Sequence, residues 1–169
     1  MSELMKRTLL LMAAGMMSYT VQATDLNISG VVLAAPCTVE TGSVSQDVDF
    51  GQVRLSEMSA NGNASEWQPF MVKLVSCPQG TTSVTATFSG TPSAADATLY
   101  ANVGTASNAA VQMVQAANKT VVQSDGSSMT VPVDAQLNAT YALAGRLIRF
   151  DDTSAGSFRS VVQMNFTYQ

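Results

Sequence analysis

Apolar residues recur at every second position in most of the chain, and almost nowhere at helical spacing. The clearest run is residues 158–169. There Phe158, Val162, Met164, Phe166 and Tyr168 share one face, while Arg159, Gln163, Asn165, Thr167 and Gln169 share the other. Period-two alternation marks a strand buried on one face. Val161 is the single apolar residue on the polar side. A matching run lies near the other end, at residues 24–32, with Leu26, Ile28, Gly30 and Val32 on one face. Between them the same pattern predicts strands at 44–50, 70–75, 84–88, 129–133 and 140–150, and a short one at 119–122. Residues 108–114 read as a strand in preference to a helix, with Val111 and Met113 opposed to Ala110, Gln112 and Val114. Residues 56–65, rich in Ser, Asn, Gly and Ala, read as a loop. Cys77-Pro78-Gln79-Gly80 reads as a turn, Asp125-Gly126 as a hairpin signal and residues 151–156 as the last turn. Short strands with regular turn signals predict an all-β sandwich in one domain.

The first residues depart from this pattern. Lys6 and Arg7 precede a short apolar stretch containing Leu9, Leu10, Leu11 and Met12, and Val21-Gln22-Ala23 is a small-residue cleavage site. This is the layout of a secretory signal, and the apolar run is too short to span a membrane, which takes about 20 residues. Cleavage after Ala23 is expected, with residues 1–23 as the signal peptide.

Composition narrows the function. The net charge is −4, with no basic patch, so nucleic acid is not an expected partner. There is no histidine anywhere in the 169 residues. Ser-His-Asp and Cys-His catalysis in their usual forms are thereby excluded, as is an ordinary zinc site. No phosphate-binding or dinucleotide motif occurs, so neither a cofactor nor a metal is expected. The two cysteines, Cys37 and Cys77, form an even pair in an exported chain, which predicts a disulfide. Two free buried thiols are the alternative, and a redox pair is disfavoured because neither lies in a C-x-x-C.

Asp47 and Asp49 fall on one side of a candidate strand, and Asp151-Asp152 lie in a turn. A glycosidase needs two carboxylates facing across a cleft, and calcium needs a patterned loop; solvated surface is the simpler reading of both pairs. Trp67, the only tryptophan, is expected in the core rather than as a sugar-stacking surface.

The ends and cysteines together resemble a known family. The residues are Gly30-Val31-Val32-Leu33-Ala34-Ala35-Pro36-Cys37-Thr38-Val39, Val75-Ser76-Cys77-Pro78-Gln79-Gly80-Thr81, Val84-Thr85-Ala86-Thr87-Phe88-Ser89-Gly90, the penultimate Tyr168, and Gly156 fourteen positions from the end counted inclusively. The chain resembles a pilin subunit of bacterial chaperone–usher (type 1) fimbriae, in particular a minor tip adaptor. The resemblance implies an immunoglobulin-like β-sandwich that lacks its last strand, comprising residues 35–169, with a donor-strand extension at 24–34. It implies that Leu26, Ile28, Gly30 and Val32 fill a neighbour's groove, and that Gly156, Val162, Met164, Phe166 and Tyr168 border this chain's own acceptor groove. The implied partners are a periplasmic pilus chaperone, an outer-membrane usher and neighbouring subunits. The implied function is structural and not enzymatic: a cell-surface fimbrium built by donor-strand exchange and supporting adhesion. Having both a donor and an acceptor implies an internal subunit. A secreted carbohydrate-binding adhesin domain is the competing reading, and a secreted glycosidase using Asp47 and Asp151 a third.

Overall fold

A computed structural model describes residues 29–30, 36–60 and 62–169. Among the described residues are eight strands and two short helices: β1 (Thr38–Val39), α1 (Thr41–Val44), α2 (Leu55–Ala60), β2 (Gln68–Val75), β3 (Ser83–Gly90), β4 (Tyr100–Ala101), β5 (Ala109–Gln115), β6 (Ser128–Pro132), β7 (Ala139–Arg149) and β8 (Val162–Tyr168). The strands form two antiparallel sheets, one ordered β1-β2-β7-β5-β4 and the other β6-β3-β8.

Alternation in sequence becomes alternation in burial. Along β3, Val84, Ala86 and Phe88 are fully buried. Along β7 the inward residues are Ala139, Tyr141, Leu143 and Leu147; β2 contributes Val72 and Leu74, and β5 contributes Val111 and Met113. These inner faces make one core between the sheets, as in an aligned sandwich. The Cys37–Cys77 disulfide is formed, and both cysteines are buried beside that core. It fastens the chain just before β1 to the turn just after β2. The β1–β2 pairing is only two residues long (Thr38↔Val75, Val39↔Leu74), so the covalent link reinforces a weak edge.

The structure departs from the expected elements in several places. Residues 44–50 do not form a strand: α1 ends at Val44, and the chain runs on without regular pairing to α2. A strand needs a hydrogen-bonding neighbour within reach, and this stretch pairs with neither sheet. The stretch 56–65 is not all loop, because α2 occupies its first half and buries Met58. At residues 119–122 only an isolated bridge forms, Val114↔Val122. Asp125-Gly126 is a turn, with Gly126 at φ +75°, yet it closes no two-strand hairpin: β6 pairs with β3 instead. β4 was not foreseen from the alternation, being two residues long. The last strand begins at Val162 and not at Phe158.

Trp67 is not a core residue. It is half-buried, with the Arg146 guanidinium 4.4 Å from its ring centroid and the Lys119 ammonium 6.0 Å away. The reason is parity. Phe70, Val72 and Leu74 face inward along β2, so odd-numbered Trp67, Pro69 and Met71 face the opposite side.

Candidate functional site

β8 is the edge strand of its sheet. Its register against β3 runs from Gly90↔Val162 to Val84↔Tyr168. Among the described residues, no strand pairs with its other edge. Val162, Met164, Phe166 and Tyr168 point toward the core, yet all four are only half-buried. Residues on the corresponding face of β3 are fully buried. The difference arises because the sandwich is open along β8.

The opening is a groove of about 1160 Å³. One wall is residues 158–166. The other is residues 43–50, the stretch that alternates in sequence but finds no strand partner. The floor is the inner face of the larger sheet, with Phe70 and Val72 from β2, Met113 from β5 and Gly145 from β7. The two walls run in opposite chain directions. At one end Phe50 meets Phe158, ring centroids 6.4 Å apart and planes at 71°. At the other, the Lys73 amide donates to Ser43 Oγ at 3.0 Å, and Phe166 lies 5.7 Å from Tyr141, the residue opposite Val72. The rims are apolar and exposed: Val44 is 69% exposed and Val161 56%. Asp47 and Asp49 stand on one wall and Arg159 on the other; Asp49 Oδ1 accepts from the Gly51 amide at 2.8 Å.

The strand that borders the groove is anchored upstream by a polar clasp. The Asn102 carboxamide oxygen accepts from the amides of Gly104 and Arg159, at 2.9 and 2.8 Å. Val103 N–H donates to the Arg159 carbonyl and Ala106 N–H to the Ser157 carbonyl. Thr105 Oγ1 accepts from the Ser157 amide, and Ser157 Oγ accepts from the Thr105 amide. Residues 157–159 are therefore hydrogen-bonded to the loop after β4 before the chain crosses to join β3. This is why the alternating run starts pairing with β3 only at Val162.

Of the acceptor residues read from sequence, Val162, Met164 and Phe166 line the groove. Tyr168 continues the same face and packs on the core beyond the groove's lining residues; burial pushes its phenol above the usual tyrosine range. Gly156 sits elsewhere. It packs against the backbone of Thr105 and Ala106, where any Cβ would collide. Its glycine belongs to the clasp. Of the donor residues, Leu26, Ile28 and Val32 lie outside the described residues, and Gly30 falls in no helix or strand. The opposite wall and floor were absent from the sequence-derived site. The unpaired alternation of Val44, Val48 and Phe50 is the signal that could have found the wall. The acidic pairs are exposed, and among the described residues no cluster of three or more His, Cys, Asp or Glu forms a candidate metal site.

Comparison with known proteins gives a consistent result. A family model described as "Fimbrial protein" matches residues 26–169. The chain is 35% identical to Protein FimG of Escherichia coli K12 over 89% of each chain. It is 31% identical to the S-fimbrial adhesin protein SfaS of Escherichia coli O6:K15:H31 over 97% of this chain and 99% of that one. Among solved structures, the P pilus rod subunit PapA superposes with TM-score 0.67 at 24% identity, covering 80% of this chain and all of that one. The P pilus adaptor subunit PapF does so with TM-score 0.56 at 17% identity, over 80% and 97%.

Proposed function

The chain belongs to the fimbrial protein family, and we propose that its groove receives an extended strand from a neighbouring molecule, such as residues 24–32 of a second copy. It is a structural subunit of a cell-surface fimbrium, exported by way of the periplasm. The single observation that carries the proposal is the β8 edge, which no strand pairs on its outer side among the described residues and whose four apolar residues facing the core stay half-buried.

An added strand would satisfy both needs at once. Its amides and carbonyls would pair with the free edge, and every second side chain would fill the groove, which is strand addition to a sheet edge. β8 spans about 23 Å at roughly 3.3 Å per residue, so seven to nine residues of donor suffice. The run Leu26, Ile28, Gly30, Val32 offers three apolar side chains and one glycine that admits close backbone approach. Each apolar side chain withdrawn from water contributes about 1.5–3 kcal/mol. In this reading residues 1–23 are removed on export, residues 24–34 are the donor, and the rest is the acceptor domain. Gly30 then serves the neighbour's groove, not this one.

An open apolar edge is also an aggregation hazard. That supports a periplasmic pilus chaperone covering β8 before assembly and an outer-membrane usher passing the subunit on. The family also favours a structural role over an enzymatic one.

The test is strand capture. A synthetic peptide of residues 24–32 is added to the full chain, and the complex is followed by native mass spectrometry and thermal unfolding. A one-to-one complex with a raised melting temperature is expected. If no complex forms at millimolar peptide, the groove is not an acceptor and the proposal fails.

A further inference from the structure

The groove is not empty along its whole length. At its Phe158 end, Phe50 from one wall reaches the other. Its ring is edge-on to Phe158 and lies over Gly145 on the floor, where an added Cβ would come within 3.3 Å of Phe50 Cζ. A second, smaller cavity of about 260 Å³ opens on the far side of Phe50, between Gln52, Met58 and Ser65. Phe50 therefore stands between two cavities. It is carried by residues 45–54, a stretch with no regular pairing, so little backbone structure opposes its movement. Gly145 is the one position on the floor without a side chain, and it forms the seat for the ring.

We infer that Phe50 is an internal plug: its ring occupies the place of an incoming strand's side chain at the Phe158 end and swings toward the smaller cavity when the strand enters. The inference rests on the strand-accepting reading above. β8 itself presents Val162, Met164 and Phe166 to the groove, while the donor run carries four inward positions. Phe158 continues the same alternating face ahead of Val162, so a strand that runs on past Val162 meets the place where Phe50 already sits. The plug keeps the floor at Gly145 dry in the unpaired subunit. It also makes strand entry stepwise, with the three open positions filled before the ring is displaced. The side chain arriving at the plugged end thus sets the rate at which docking is completed.

The test uses the full chain and the peptide of residues 24–32, with Met71→Ala on the outer face of β2 as a control. An aromatic pair of this kind is worth a roughly two- to tenfold change in rate. Phe50→Ala is expected to speed peptide uptake by that factor, Phe50→Leu by less, and Met71→Ala not at all. The nuclear Overhauser contact between the Phe50 and Phe158 rings should be present in the free wild-type chain and lost in the complex. A complex that retains this contact overturns the plug without any variant. So does uptake by folded Phe50→Ala or Phe50→Leu that is no faster than wild type. In both cases the wild-type complex still forms and the acceptor reading stands; absence of any wild-type complex overturns that reading and the plug with it.

Discussion

Tyr141 on β7 donates its phenolic hydrogen to the carbonyl of Val84 on β3, 2.8 Å away and within the core. The bond joins the two sheets, and Val84 is also the residue opposite Tyr168 at the end of β8. Truncation by Tyr141→Phe leaves the ring in place and removes only the hydroxyl group. A loss of about 1–2 kcal/mol is expected for one buried hydrogen bond, read as a lower denaturant midpoint with unchanged slope.

Alkaline pH should unfold the protein before acid chemistry within the core matters. Burial raises the phenols of Tyr100, Tyr141 and Tyr168 above their ordinary value, with Asp125 adding to the effect at Tyr100 and Tyr168 adding to it at Tyr141. In the unfolded chain these groups ionise near pH 10. Their contribution is fully present below that point and is lost as pH rises through it toward the raised folded values. With no histidine to titrate, stability is expected to be nearly flat from pH 6 to 9 and to fall steeply above 10. Melting temperatures across a pH series check this; a marked step between pH 6 and 7 would contradict it.

Removal of the disulfide should be costly. Cys37 and Cys77 are 40 residues apart, and closing a loop of that size contributes about 4 kcal/mol by chain entropy. The Cys37→Ala/Cys77→Ala chain should melt well below the wild type, with β1, held by two register pairs, exchanging its amides first in hydrogen exchange.

A charge in the groove should block strand capture. Met164→Lys places an ammonium on the groove-facing side of β8, and uptake of the 24–32 peptide should fall at least tenfold. Thr167→Lys, on the opposite face and outside the groove lining, should bind as wild type. Native mass spectrometry of both variants with the same peptide separates the two outcomes.

Gly156→Val should disturb the clasp and not the groove directly. The new side chain would meet the backbone of Thr105 and Ala106. A destabilisation of about 1–3 kcal/mol is expected from such overpacking. Faster amide exchange at Ser157 and Arg159, ahead of Met164 and Phe166, would place the damage where the structure puts this glycine.

Much was written in the chain. Alternation specified β2, β3, β5, β6 and β7 with ends correct to within two residues, because the side-chain period of a strand is two whatever its neighbours are. It specified the inward face of β8 for the same reason. The exported context and the even cysteine count were enough to predict the disulfide. Even the outward position of Trp67 was implicit in its parity with Met71.

What alternation could not say is which run finds a partner. Residues 44–50 alternate as well as many strands do, yet stay unpaired, because pairing depends on a neighbour's free edge. Nor could it say that residues 157–159 bond to the loop after β4, since side-chain amides such as Asn102 compete there with the sheet. Gly156 and the penultimate Tyr168 resembled parts of one groove; only packing separated a clasp glycine from a core tyrosine. The sequence by itself determined that this is a sandwich of half-buried strands with an apolar final strand. The family resemblance implied an open groove along it, but alternation could not; tertiary structure decided that no strand among the described residues pairs its outer edge, because a missing neighbour is a property of the assembled sheets and not of any one run of residues.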